Sequence, residues 1–281
     1  MKKIFLYTCI VAVVVSSCDK VKQPYIKGST GTVDTSEKKV RKILLEEFTG
    51  HTCTNCPPAA VTIHTLQDQH PGRIIAIAIH SGGFAFPSAP TYTANFQSTT
   101  GDNYATTFNI DHNPVGLINR KGYPNSIMKE VGQWSGIIED SLLPLPPDAD
   151  LKITNTYNSS TRILNGSVTC KFLTSMNGTY KIVLLITEDS IVNAQKFPGN
   201  IDSLNYVHRH VLRGAISSTD FGDVLKTGLI AAGDSGIKTF NYTLPPSFNN
   251  TIPDESHCYV VAYIYDAVTY EIIQAEEKKI K

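Results

Sequence analysis

The chain has 281 residues, of which 41% are apolar, 18% charged and 9% aromatic, a composition that is ordinary for a soluble protein. Its 25 Lys and Arg residues balance its 25 Asp and Glu residues, so charge gives no reason to expect nucleic acid or an acidic surface as a partner. The length suits two domains better than one.

The N-terminus has the pattern of a targeting segment, and we predict a signal peptide over residues 1–17. Lys2 and Lys3 precede the apolar run IFLYTCIVAVVV, which is too short to span a membrane as a stable helix. The run ends in VSSC, which resembles the lipobox of bacterial lipoproteins. That resemblance implies lipidation of the Cys18 sulfur and a membrane anchor through the attached acyl chains. A simple secretory signal is the alternative.

Residues 18–38 are polar and contain Gly, Ser and Thr without apolar periodicity, so we predict a lipidated, flexible tether. Asp19 follows the predicted lipidation site, but no acidic run continues from it. The sequence therefore leaves open whether the protein faces the periplasm or the cell exterior.

Residues 39–146 alternate between strand and helix patterns. The runs VRKILLEEF and RIIAIAIHSG are typical of buried strands, and the segment between them carries apolar residues at helical spacing, starting near Pro57 and Pro58. This order predicts a parallel βαβ unit. Residues 81–100 have the composition of a loop insertion, and the later runs NYATTFNI, PVGLINRKG and SIMKEVGQWSGIIEDSLL predict helix, strand and helix.

Residues 147–281 follow a different pattern. The run PLPPDAD ends the preceding helix, because proline cannot continue it, and marks a predicted domain boundary. About seven short apolar or alternating runs follow, separated by Gly, Asn, Pro and Ser. This pattern predicts an all-β, immunoglobulin-like sandwich.

The segment EEFTGHTCTNCPPAA places Cys53 and Cys56 directly after the first predicted strand. A cysteine at a helix N-terminus lies where backbone N–H groups and the helix dipole favour a thiolate, which is the form that attacks a disulfide. A second cysteine three residues later is within reach to resolve the mixed disulfide. We therefore predict Cys53 as the nucleophile and Cys56 as the resolving thiol.

Other roles for the cysteine pair require further residues. Zinc needs two further ligands at workable spacing, and no second Cys-x-x-Cys exists, so we predict no metal. Covalent haem attachment needs a histidine after the second cysteine, where Pro57 stands. A purely structural disulfide remains open.

These residues resemble the thioredoxin superfamily, in which a buried carboxylate precedes the first cysteine by six residues. The corresponding residue here is Glu47, which the resemblance implies as a proton acceptor or relay for Cys56. A glutamate that points to solvent beside Glu46 is the alternative. The stretch FNIDHNPVGLINRKG matches the segment that carries the superfamily's cis-proline, so the resemblance implies that Asn113 and Pro114 present an extended substrate.

The sequence also departs from that superfamily. Thr52 replaces the usual aromatic residue before the first cysteine, and Thr54-Asn55 replaces Gly-Pro between the cysteines. His51 is a candidate for adding charge near Cys53 and for contacting a substrate, although a solvated loop histidine is the alternative. Because two prolines follow Cys56, we expect a weaker helix dipole at Cys53 and a pair that is not strongly oxidising, with its redox direction left open.

The lipobox, the segments EEFTG and CTNCP, and the C-terminal run YVHRHVLRG together resemble a family of lipoproteins named for a 28-kilodalton outer-membrane protein. The resemblance covers nearly the whole mature chain and implies a lipid-anchored protein at the outer membrane of a Gram-negative bacterium.

Two further sets of residues are candidates for sites. His208, His210 and Arg213 could form a metal or anion site, although a packing motif is the alternative. Cys170 and Cys258 lie on predicted strands as candidates for an inter-strand disulfide, with buried free thiols as the alternative.

The sequence therefore predicts a membrane-anchored thiol–disulfide oxidoreductase that needs no cofactor and acts on exported protein thiols or disulfides. The alternative is a surface binding protein or adhesin whose thioredoxin-like part is a non-catalytic scaffold. The oligomeric state is not predicted.

Overall fold

The structure is a computed structural model that describes residues 39–281. The predicted signal peptide, Cys18 and the tether lie outside the described residues. The strands are β1 (Ile43–Thr49), β2 (Ile74–His80), β3 (Val115–Ile118), β4 (Met128–Lys129), β5 (Ala149–Asn158), β6 (Ile163–Phe172), β7 (Met176–Glu188), β8 (Ile191–Phe197), β9 (Ile201–His208), β10 (Val211–Ala215), β11 (Asp223–Ile230), β12 (Ser235–Thr243), β13 (Cys258–Asp266) and β14 (Ile272–Lys279). The helices are α1 (Cys56–Gln69), α2 (Thr99–Thr107) and α3 (Val131–Gly136), which continues into a π-helical turn over Ile137–Leu142.

Within residues 39–281, most strands join a nine-stranded mixed sheet in the order β14-β13-β7-β10-β2-β1-β3-β4, with β11 paired to β7. Strand β2 is parallel to both β1 and β10, and the other pairs in this sheet are antiparallel. Strands β12, β6 and β5 form a separate antiparallel sheet, and β8 pairs with β9 as a hairpin. The fold is therefore mostly β.

The predicted βαβ unit is confirmed. Strands β1 and β2 are parallel, with Ile43 opposite Ile74 and Thr49 opposite His80, and α1 connects them. Every residue of both strands is buried, which explains why apolar residues occur on both faces of each strand rather than at alternate positions.

The main sheet crosses the predicted boundary between residues 146 and 147. Strand β2 pairs with β10, and the backbone N–H of Ala78 donates to the carbonyl of His210 at 2.8 Å. Residues 39–281 form one compact unit, so the predicted division into residues 39–146 and 147–281 falls inside it. The physical reason is that β2 is buried and apolar, and it needs a strand on each edge to satisfy its backbone groups.

Apolar clusters cover both faces of the main sheet. Helices α1 and α3 pack on one face of β1, β2 and β3. The opposite face forms a cluster that joins residues of β1 and β2 to residues of β7, β10 and β13. Strands β5 and β6 pack against β7 and β13, so the predicted sandwich consists of the small sheet lying on part of the main sheet.

A buried ion pair lies inside the cluster shared by the two halves. The Arg120 guanidinium donates to both carboxylate oxygens of Glu46, at 2.8 and 2.6 Å, and to the Tyr263 hydroxyl at 2.7 Å. The guanidinium also lies over the rings of Tyr104 and Phe108, 4.7 Å from each centroid. Both partners of the pair have side chains that are 0% exposed, so the pair depends on these contacts rather than on water.

The candidate disulfide between Cys170 and Cys258 is not formed. Both residues are buried free thiols in the cluster between the two sheets. Cys170 lies on β6 of the small sheet and Cys258 on β13 of the main sheet, and the Cys258 thiol donates to the carbonyl of Asp254. Burial raises the pKa of each thiol to about 12, so both remain protonated at neutral pH.

Candidate functional site

Cys53 and Cys56 form a disulfide in the loop between β1 and α1, with their Cα atoms 5.5 Å apart. Each residue is only 2% exposed. Helix α1 begins at Cys56, so Pro57 and Pro58 lie in its first turn, where a missing N–H costs no intrahelical hydrogen bond. The predicted helix start near the prolines is confirmed, and Cys53 lies three residues before it.

The loop before Cys53 is held by the segment that follows β2. The N–H and hydroxyl of Thr52 both donate to the carbonyl of Phe84, at 3.1 and 3.0 Å, and the N–H of Cys53 donates to the carbonyl of Gly50 at 3.1 Å. A Cβ atom at Gly50 would lie 2.5 Å from the backbone of Phe84. Gly50 therefore allows the two segments to approach each other.

We expect Gly50→Ala to destabilise the protein by about 1–3 kcal/mol, because the added methyl group must push backbone away from the disulfide loop. Denaturant unfolding measures the effect. Gly83→Ala is the matched control, since a Cβ atom there meets nothing within 4 Å. Equal stability of the two variants would contradict the close approach.

Glu47 lies on the α1 face of β1 and is only 3% exposed. Glu46, the next residue, faces the other side of the sheet in its pair with Arg120. The alternative that Glu47 points to solvent beside Glu46 is therefore wrong, because both faces of the sheet are covered. Burial raises the pKa of Glu47 to about 8, so its carboxyl group exchanges a proton near neutral pH.

The raised pKa of Glu47 predicts a pH-dependent stability. A carboxyl group whose pKa is about 8 when folded and about 4.5 otherwise stabilises the fold fully below pH 4.5, and this contribution is lost as pH rises toward 8. Glu47→Gln should remove that loss, which amounts to about 1.4 kcal/mol per pH unit in this window.

Denaturant unfolding of the natural protein and the Glu47→Gln variant at pH 5 and pH 8 tests this. The difference between the two proteins should grow with pH, in favour of the variant. Asp140→Asn, on an exposed residue, is the control and should leave the pH dependence unchanged. A constant difference between the natural protein and Glu47→Gln would show that the Glu47 carboxyl is not buried.

A cluster of neutral histidines lies beside the disulfide loop. The rings of His51, His80 and His208 surround Phe96, and burial lowers the pKa of all three. His51 is fully buried, with Nε2 lying 3.0 Å from the carbonyl oxygen of Phe86. The alternative of a solvated histidine at position 51 is therefore wrong, and a neutral ring there supplies no positive charge to Cys53.

His208, His210 and Arg213 do not converge on one site. Nε2 of His208 lies 3.3 Å from the carbonyl of Ala194, and Nε2 of His210 lies 3.2 Å from the side-chain oxygen of Gln67. Arg213 forms a buried ion pair with Glu188 at 2.9 Å. Among residues 39–281, no group of three or more His, Cys, Asp or Glu side chains could hold a metal ion.

The peptide bond between Asn113 and Pro114 is cis, as predicted. The amide of Asn113 donates to the carbonyls of Thr49 and Ser81, at 3.2 and 3.1 Å, and so links this segment to the ends of β1 and β2. Two surface grooves of about 500 and 460 Å³ meet at Asn113 and also border the disulfide loop, one through Asn55 and the other through Thr52. An extended chain lying in them would pass beside this loop.

Residues from β8 complete the site, and sequence analysis did not identify them. The amide of Gln195 donates to the carbonyls of Cys53 and Gly50, at 3.1 and 3.3 Å, and the N–H of Lys196 donates to the carbonyl of His51 at 2.8 Å. The sequence around Gln195 and Lys196 contains no motif that indicates these contacts. His80 carried a usable signal, since it ends a strand parallel to β1 at the same sheet edge as the cysteines.

No helix within the described residues is long and apolar enough to cross a membrane.

The chain matches one protein-family model. A family model described as outer membrane protein Omp28 matches residues 101–281. No curated protein sequence matches the chain.

Solved structures align with the chain at low sequence identity. HBP35 of Porphyromonas gingivalis aligns with a TM-score of 0.58 and 16% identity, covering 86% of this chain and 76% of its own. A protein from Agrobacterium tumefaciens gives a TM-score of 0.45 and 12% identity over 87% of this chain and 97% of its own. A domain of the outer membrane lipoprotein Omp28 from P. gingivalis gives a TM-score of 0.33 and 16% identity over 48% of this chain and 89% of its own.

Proposed function

The chain belongs to the Omp28 family of outer membrane proteins, and from that premise we propose that it is a thiol–disulfide oxidoreductase acting on exported proteins. In this proposal Cys18 carries the lipid anchor, and residues 39–146 supply a thioredoxin-like arrangement of β1, α1, β2 and β3. Exported protein thiols or disulfides are the substrates, and no cofactor is required.

One observation carries the proposal. The Cys53–Cys56 disulfide lies at the N-terminus of α1, whose first residue is Cys56, and Cys56 shares a cavity with the buried carboxyl of Glu47. A structural disulfide needs neither a buried acid nor a helix N-terminus. A resolving thiol uses both, because it must lose a proton before it attacks.

The reaction follows from this placement. In the reduced protein, the Cys53 thiolate attacks a partner disulfide, and one partner sulfur leaves as a thiolate. Cys56 gives its proton to the ionised form of Glu47 and attacks the Cys53 sulfur, which releases the second partner sulfur. Two electrons pass from the dithiol to the partner, and the reverse sequence oxidises a partner dithiol.

We expect catalysed reduction of a small disulfide-bonded protein by dithiothreitol, with turnover lost in Cys53→Ser. When reduced Cys56→Ser reacts with the substrate in the absence of dithiothreitol, Cys53 should remain trapped in a mixed disulfide, because no resolving thiol is present. Mass spectrometry of the trapped species and a turbidity assay measure the two effects. The double variant Cys170→Ala/Cys258→Ala is the control and should keep turnover, since these thiols lie in another cluster.

Burial of both cysteines favours a second candidate, a surface binding protein whose disulfide is only structural. In that case Cys53→Ser would leave partner binding intact, and the natural protein would give no turnover. Deleting the C-terminal half does not separate the two candidates, because that half supplies β10 to the main sheet.

A further inference from the structure

Two buried polar atoms without a hydrogen-bond partner in the described part of the chain lie on the same cavity. They are Oε1 of Glu47 and Nδ1 of His80. Glu47 is opposite Ala78 and Thr49 is opposite His80 in the parallel pairing of β1 with β2. Residues two apart on a strand point to the same face, so both side chains point toward α1.

The cavity extends from these atoms to the protein surface. Cys56 lies on its wall, as do Tyr206 and the residues that follow β9. It has about 30 Å³ of space for the centres of water molecules. One water needs roughly 10–15 Å³ by this measure, so the cavity has room for about two or three. Buried polar atoms that lack a protein partner are usually bonded to ordered water.

The charges around the cavity suit a bridging water. The titratable groups that face it from α1, β2, β9 and the turn after β9 are Cys56, His64, His80, Tyr206, His208, Arg209 and His210. Burial lowers the pKa of His80 well below its usual range, so its ring is neutral. A neutral ring with its proton on Nε2 accepts a hydrogen bond at Nδ1. A water that donates one hydrogen to Nδ1 of His80 can also form a hydrogen bond with Glu47, whether the Glu47 carboxyl group is ionised or protonated.

We propose that a water held by His80 against Glu47 carries the Cys56 proton from the redox site toward solvent at His64 and Arg209. His80 is a positioning residue in this route. The proposal rests on the proposed thiol–disulfide function. Cys56 passes its proton to Glu47 and attacks the Cys53 sulfur of the mixed disulfide, whose bond to the partner sulfur breaks. Glu47 then gives the proton to the water, and a proton leaves at the cavity mouth.

A chromophoric aromatic disulfide separates the two chemical steps. Mixed with the reduced, detergent-solubilised protein, it releases a first thiolate in a bimolecular step at Cys53. It releases a second thiolate in a unimolecular step at Cys56. We expect His80→Phe to slow the second step about tenfold or more, because the water that takes the proton from Glu47 is no longer held in place, and to change the first less than about twofold. The solvent deuterium isotope effect on the second step should rise.

His208→Phe is the matched control, since His208 is equally buried but its Nε2 already has the Ala194 carbonyl as a neighbour; we expect the second step to keep its isotope effect. His80→Ala leaves room for free imidazole, which should restore the second step. The proton route is refuted if the rate of the second step is unchanged in both His80 variants, or if imidazole does not restore that rate in His80→Ala. Either result leaves the redox function standing. Release of no thiolate by the natural reduced protein would instead refute the redox function.

Discussion

Removing residues 148–281 should leave residues 39–147 without a cooperative fold. Strand β2 would lose β10 along one edge and expose the backbone donors and acceptors of a fully buried strand. The cluster on that face of the sheet would also lose the side chains of β7, β10 and β13 that cover Phe48 and Ile77. The hydrogen bond from the N–H of Ile272 to the carbonyl of Asn119, 2.9 Å long, would be lost as well.

Thermal unfolding followed by circular dichroism tests this expectation. The fragment 39–147 should show no cooperative transition, while residues 39–281 should show one. A matched control is the same chain supplied as two fragments, 39–147 and 148–281, which should associate and regain the transition because the shared sheet is restored. A fragment 39–147 that unfolds cooperatively alone would contradict the shared sheet.

Replacing Arg120 with Met should destabilise the protein by about 3–5 kcal/mol, because it leaves the Glu46 carboxylate buried without its partner. The guanidinium is the donor to both oxygens of this carboxylate, and the surrounding rings exclude water. Replacing both members, as Glu46→Leu/Arg120→Met, should recover much of that loss, since a buried ion pair contributes little beyond apolar residues of similar volume.

A double-mutant cycle at pH 7 measures the coupling between Glu46 and Arg120. Lys238→Met is the matched control: its partner Asp223 lies at 2.7 Å, but the lysine side chain is 32% exposed, so its loss should cost less than about 1 kcal/mol. Additive losses at Glu46 and Arg120 would show that the two charges do not depend on each other.

The parts of the fold that the sequence predicted are local ones. The run from β1 through α1 to β2 was predictable because its apolar residues and prolines lie within 40 residues of one another. The pairing of β2 with β10 was not predictable, because the two segments lie more than a hundred residues apart and the sequence of β10 does not indicate which strand it pairs with. A change of sequence pattern near residue 147 therefore does not mark a break in the sheet.

The residues of the candidate site also fall into two groups, those that local sequence predicted and those that depend on tertiary packing. Cys53 and Cys56 were predictable as a pair from their spacing after the first strand, and the buried Glu47 was implied by the resemblance to the thioredoxin superfamily. The neutral state of His51 depends on its burial beside Phe96, and the position of the disulfide loop depends on Gln195; tertiary packing brings these residues together. Burial, which sequence spacing does not report, determined which residues carry charge.

The reduction potential of the Cys53–Cys56 pair tests the central claim most directly. The protein is equilibrated with thiol–disulfide buffers of graded potential and quenched, and the alkylated fraction of Cys53 is measured by mass spectrometry. The proposed function predicts reversible reduction with a midpoint above about −300 mV, the range of exchanging rather than structural disulfides. A pair that stays oxidised throughout this range, with Cys53 never alkylated, would contradict the claim.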